Sequence, residues 1–216
     1  MTGSRYVELQ CASHFSFLRG ASSCEELFRQ AAVCGIEALA VTDRNSLAGV
    51  VRAHEAARAA GVRLIVGCRL ELTDGSAILV YPRDRPAYAR LCRLLSLGKQ
   101  RGGKARCLLG WEDLEAYAED LVAILVPDRA EGVTRRRLER LRAVFGGEAH
   151  LALTLQRRPR DQMRLHELSM MAADAGVKTI VTNDVLFHHP DRRILQDVLT
   201  CTPSPFSATT WRGVTS

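Results

Sequence analysis

The sequence predicts an α/β fold assembled from parallel βαβ units, and three observations carry that expectation. About seven short strand-forming runs, among them 38–41, 121–126 and 178–181, alternate with segments of helical spacing. Helix boundaries are written locally, with a Ser23/Glu26 capping box at one start and Gly35, Gly61 and Gly176 after three ends. Polar turns follow the strands, as in Thr42-Asp43-Arg44-Asn45, which is where α/β domains collect ligand groups. No GxGxxG follows a strand and no GxxxxGK[ST] is present, so a dinucleotide fold has no support and a P-loop is excluded. The alternation does not choose between a closed barrel and an open doubly wound sheet.

The elements follow in order. A buried strand at 7–9 runs into a polar turn. The capping box then opens a helix with Leu27, Ala31 and Cys34 on one face. After the strand at 38–41, Asn45-Ser46 opens a second helix with Leu47, Val50, Val51, His54 and Ala57 inward. A strand at 64–66, a turn at 73–76 and a strand at 77–80 form a hairpin-like excursion. Tyr88, Leu91, Leu94 and Leu95 mark a helix at 88–97, followed by a basic loop at 98–106. A short helix at 111–118 leads to the strand at 121–126. Helices at 134–145 and 161–175, the latter with Leu165, Leu168 and Met171 inward, flank a strand at 149–153. A strand at 178–181 and a helix from 192 to 201 complete the series.

The chain has 216 residues, 47% of them hydrophobic, enough for one large domain or two small ones with a sizeable core. No apolar run approaches the ~18 residues of a membrane span, and residues 1–10 lack a signal-peptide apolar region, so a cytoplasmic protein is expected. Seven scattered cysteines without a CxxC pair argue for reduced thiols, with Cys34, Cys68 and Cys92 as small core residues. The net charge of +6 comes mostly from arginine, clustered at 101–106, 135–142 and 157–160. Such clusters read either as solvated helix faces or as phosphate contacts.

Several motifs resemble a known family: FSFLRGAS at 15–22, ALAVTDRNSLAGVVRAH at 38–54, LIVGCRL at 64–70, YARLCRLLSLGK at 88–99 and VTNDVLFHHPDRR at 181–193. They are similar to the N-terminal PHP (polymerase and histidinol phosphatase) domain of bacterial C-family DNA polymerases, in the error-prone branch related to the polymerase III alpha subunit. The resemblance runs from about residue 6 to 202 and implies a distorted (βα)7 barrel. It divides the chain into a PHP domain at 1–202 and an unrelated tail at 203–216. That tail, rich in Pro, Ser and Thr, is expected to be disordered.

Enzymatic PHP domains hold two or three metal ions, which clamp a phosphate and activate a water. Carried over to this chain, the resemblance puts the ligands at positions now mostly occupied by other residues. Gln10 and Ala12 stand for a His-x-His, and Asp43 is followed by Arg44 where a His belongs. Arg69 and Ala152 replace acids, Ala77 replaces a His, and the closing Asp-x-His is Asp184 with Leu186. His14 adjoins the pocket turn. The expectation is a site with no catalytic residues and no metal, in which Arg44 and Arg69 pair with Asp43 and Asp184. Anion binding by Arg44, Arg69 and the Arg19-Gly20 turn is the alternative.

The expected function is structural, as the PHP domain of an error-prone DNA polymerase used in damage-tolerant synthesis. The polymerase palm, with its magnesium, is expected elsewhere, because the resemblance stops at Thr202 as though the reading frame or gene model were cut short. Expected partners are the remainder of the polymerase, DNA and other translesion-synthesis proteins. The alternatives are a stand-alone phosphoesterase and a basic DNA- or protein-binding module.

Overall fold

A computed structural model describes residues 6–202. The tail expected at 203–216 lies outside the described residues. Seven strands, hydrogen-bonded in chain order, form one sheet that curls into a nearly closed barrel. Strands β1 (Val7–Cys11), β2 (Ala38–Arg44) and β3 (Arg63–Glu71) are parallel. Strand β4 (Ala77–Pro82) runs antiparallel to both β3 and β5 (Leu121–Leu125), and this is the excursion expected at 73–80. Strands β5, β6 (Ala149–Thr154) and β7 (Lys178–Thr182) are parallel again. A parallel bridge between Cys11 and Val185 ties the last strand's exit to the first strand.

Alternation along each strand sorts the side chains into two layers. Ala40, Leu79, Tyr81, Ile124 and Ala152 face inward, with Leu9, Ile65 and Ile180 against them. The interior is narrow, so small residues alternate with large ones. A Cβ on Gly67 would lie 2.7 Å from the Tyr81 ring, which crosses the barrel so that its hydroxyl donates to the Leu9 carbonyl. The outward parity packs against helices. Cys11, Leu39 and Val41 meet α1 (Cys24–Val33) and α2 (Val50–Ala60). Leu70, Ile78, Val80 and Leu151 meet α3 (Arg85–Gly102), α4 (Trp111–Ala116), α5 (Gly132–Phe145) and α6 (Asp161–Asp174). A final helix, α7 (Arg193–Cys201), follows the loop after β7.

Local details differ from the sequence expectation. Helix α2 begins at Val50, because Asn45 is held at φ 48° with its Oδ1 accepting from the Glu71 amide. Its inward face is Ala53, Ala56 and Ala57, and Val51 and His54 point to solvent. Helix α3 continues through Gly98 instead of ending there, because a bare Gly lets Cys107 and Leu109 pack on it; a Cβ would lie 2.6 Å from the Cys107 sulfur. Cys34 is exposed at the end of α1, so it is not a core residue; Cys11, Cys24 and Cys68 are the buried thiols. No helix among the described residues is long and apolar enough to cross a membrane.

Candidate functional site

The ends of β1, β2, β3, β6 and β7 and the start of antiparallel β4 meet at one mouth of the barrel. Strand β1 reaches it through a β-bulge, with Glu8 paired to Leu39 but Cys11 to Val41. The extra residue re-aims the strand, so that Leu9 and Gln10 both turn inward. Gln10 Oε1 accepts from Thr182 Oγ1 at 2.8 Å, and Thr182 shares a 2.7 Å hydrogen bond with Thr154. This buried chain of polar groups laces the first strand to the last two, across the gap where no strand ladder closes the sheet. Gln10 Nε2 is buried without a partner.

Asp43 is 2% exposed but does not face the mouth. It shares the outward parity of Leu39 and Val41, which puts its carboxylate beneath the loop after β1. There Oδ1 accepts from the Ser13 amide at 2.8 Å and from Ser16 Oγ at 2.7 Å, while Oδ2 accepts from Ser13 Oγ at 2.8 Å. Burial pushes the Asp43 pKa up, and the bonds from Ser16 and Ser13 pull against that shift. The expected pairing of Asp43 with an arginine is absent. Arg44 instead extends from the rim, donating to the Phe17 carbonyl at 3.1 Å and lying 3.7 Å from Glu71.

Asp184 does form an ion pair, but with Arg19, whose Nη2 reaches both carboxylate oxygens at 2.8 Å. Asp184 sits at φ 49° just beyond β7, a left-handed conformation that Asp tolerates better than most residues. Arg69 points into the mouth, its side chain 14% exposed and 3.4 Å from Glu71 Oε1. Burial lowers its pKa, and the neighbouring Arg19 charge adds to that, against the opposing pull of Asp184 and Glu71. Arg69 Nη1 and Arg19 Nε are both buried without an acceptor.

The other expected positions scatter. Ala152 is interior packing. Ala12 and Leu186 are joined to neighbours through backbone: the Ala12 amide donates to Val185 and the Leu186 carbonyl accepts from Ala21. Ala77 and Arg69 line a cleft of about 440 Å³ on the β3–β4–β5 side of the mouth, with Asp128, Arg129 and Arg137. His14 is exposed, stacked on Phe15 at 4.5 Å. Ser13, Ser16, Thr154 and Thr182 were not singled out in the sequence. Their hydroxyls carry no spacing signal, and the Arg19–Asp184 partners lie 165 residues apart. Much of the arginine surface is neutralised locally, with Arg101 on Asp113, Arg137 on Asp74 and Arg140 on Glu115.

Residues 8–181 match the model of the PHP domain family. This chain belongs to that family. The PHP domain is 63% identical over 201 residues to error-prone DNA polymerase 1 of Agrobacterium fabrum, covering 93% of this chain and 18% of that protein. It is 62% identical over 197 residues to error-prone DNA polymerase 2 of Rhizobium meliloti, with 91% and 18% covered. The error-prone DNA polymerase of Brucella abortus is 46% identical over 204 residues, with 91% and 19% covered. The chain therefore spans about a fifth of the length of these curated relatives. Two solved structures share the fold, each with a TM-score of 0.61. One, from Bifidobacterium adolescentis and described as a metal-dependent phosphoesterase, is 14% identical and covers 86% of this chain and 88% of its own. The other, an amidohydrolase from Chromobacterium violaceum with bound sulfate and no metal, is 16% identical, with 84% and 87% covered.

Proposed function

We propose that this PHP domain serves an error-prone DNA polymerase as a structural support and holds no catalytic metal. The observation that carries the reading is the state of its two remaining carboxylates. Asp43 accepts three hydrogen bonds from Ser13 and Ser16 on the outer side of the sheet, and Asp184 is closed by Arg19. A divalent cation needs imidazole or carboxylate donors with free lone pairs converging on one point. The positions that would supply them hold Gln10, Ala12, Arg69, Ala77 and Ala152, and among the described residues no three His, Cys, Asp or Glu side chains are grouped to bind an ion. The residues present do not fit the metal.

In place of chemistry, the mouth supplies mechanical closure. Gln10–Thr182–Thr154 and Arg19–Asp184 tie the start of the domain to its end. The exposed apolar side of α7, with Ile194 76% and Val198 58% exposed, suits packing against the rest of a polymerase. In that setting magnesium and nucleotidyl transfer belong to the remainder of the polymerase, and damage-tolerant synthesis in the cytoplasm, with DNA and translesion-synthesis proteins as partners, is the corresponding role. The test is metal analysis of the purified chain after dialysis against zinc or manganese, with p-nitrophenyl phosphate as a hydrolysis probe. Substoichiometric metal and no metal-stimulated hydrolysis are expected. Stoichiometric zinc or manganese would overturn the reading.

A second reading rests on Arg69 Nη1 and Arg19 Nε, two buried guanidinium donors without acceptors. They fit a bound anion in a metal-free mouth. It predicts that phosphate raises the melting temperature of the wild type and not of Arg69→Leu.

A further inference from the structure

We propose a separate site beside the barrel mouth: a rim cleft that binds single-stranded nucleic acid, with a base stacked on Phe17 and backbone phosphates held by Lys99 and Arg106. The cleft, of about 360 Å³, lies between the loop after β1, the loop after β2 and the turn that ends α3. It stands independently of whether the mouth holds a metal.

Charge is the first observation. Arg44, Lys99 and Arg106 line the cleft, and no Asp or Glu does. Arg44 has Glu71 3.7 Å away. Lys99 and Arg106 are exposed and make no ion pair among the described residues. Two unpaired cations converging on a concave lining that holds no acid are an electrostatic footprint for an anion.

The second observation is aromatic. Phe17 is 72% exposed, and it sits at the cleft beside the stacked His14–Phe15 pair. Arg44 Nη2 donates to the Phe17 carbonyl and so fixes the backbone that presents the ring. An acidic peptide would use the cations but gains nothing specific from a bare phenyl ring. A nucleobase uses both, since every base offers a π-face and every nucleotide a phosphate. The base must be unpaired to reach the ring, and a 360 Å³ cleft lies near the lower end of the ~300–1,000 Å³ range of small-ligand sites, too small to seat a duplex.

Backbone strain is the third. Leu18 at φ 59°, Asn45 at φ 48° and Ala105 at φ 61° all line this cleft, one from each of its three walls. Two of them have no side chain that favours the left-handed region. Strained loop residues persist where surrounding structure over-determines them, and they gather at recognition sites.

The experiment is fluorescence anisotropy of labelled (dT)12 with the full chain, from ~50 to 200 mM salt. Wild-type binding should weaken steeply with salt. Lys99→Gln/Arg106→Gln should lower the slope of log K against log salt by about 1.4, at ~0.7 per phosphate contact. Phe17→Ala should weaken binding about tenfold at every salt concentration, and Phe17→Trp should restore it. All three positions are exposed, so melting temperatures should match the wild type and separate lost binding from lost folding. No binding at 50 mM salt, unchanged binding by Phe17→Ala, equal affinity for duplex, or competition by polyglutamate as strong as by unlabelled (dT)12 would each overturn the proposal. The last result would point to an acidic protein partner.

Discussion

Asp43 separates a structural reading of the site from a catalytic one. In the Asp43→Ala variant the Ser13 amide and the hydroxyls of Ser13 and Ser16 lose their shared acceptor. A buried donor left unsatisfied costs about 1–3 kcal/mol. The two hydroxyls can rotate, and Ser16 Oγ keeps the bond it accepts from the Arg44 amide, so the sum falls short of three full penalties. A loss of about 3–5 kcal/mol is expected, a large share of the ~5–15 kcal/mol stability of a typical domain. At roughly 2–4 °C per kcal/mol for a chain of this size, the melting temperature should drop by about 6–20 °C. Asp43→Asn should cost far less, about 1 kcal/mol. Its Oδ1 can keep both bonds now made to the carboxylate Oδ1, and Ser13 Oγ can accept from the new amide. Thermal and urea denaturation followed by circular dichroism measures both variants. An Asp43→Ala protein as stable as the wild type, or more stable, would refute the reasoning. It would mark the carboxylate as one retained at a cost to stability, as functional carboxylates are.

The same residue sets a pH signature. Burial raises its folded pKa above the unfolded value, so the folded state binds the proton more tightly and Asp43's contribution to stability falls as pH rises from the ordinary carboxylate range through the folded value. The difference between wild type and Asp43→Asn across pH 3–7 isolates this, and a flat difference would contradict it. Glu26 has the opposite sign. The Ser23 amide donates to its carboxylate and holds its pKa down, so that contribution is present above the unfolded value and is lost as pH falls. Ser23→Ala, which removes the other half of that capping box, should cost about 1 kcal/mol by urea denaturation. Gly20→Ala should be more damaging, since a Cβ there lies 2.1 Å from the Ser13 carbonyl oxygen; a lower denaturation midpoint is expected, and an unchanged one would disprove the close approach. Thiol labelling should show exposed Cys34 and Cys201 reacting fast, and Cys11, Cys24 and Cys68 reacting only on unfolding, with burial pushing Cys68 up to about 12.

What the chain determines locally was readable from it. The Ser23/Glu26 capping box forms as written, because its partners are three residues apart. Gly61 takes the left-handed cap expected of it, at φ 68°. The strand-and-helix alternation and the family motifs led to the barrel and to the PHP domain, because period and motif are properties of contiguous residues.

Tertiary structure decided which groups meet. The family resemblance implied one pocket holding Asp43 and Asp184 with Arg44 and Arg69. Strand parity instead turned Asp43 to the outer side, under two serines, and the partner of Asp184 proved to be Arg19. Gly98, which looked like a helix stop, stays helical because Cys107 and Leu109 fill the space its missing side chain leaves. Parity at a strand end depends on bulges and register, and an ion pair across 165 residues depends on where the barrel closes. Both are fixed by packing the whole sheet, which no local stretch of sequence encodes.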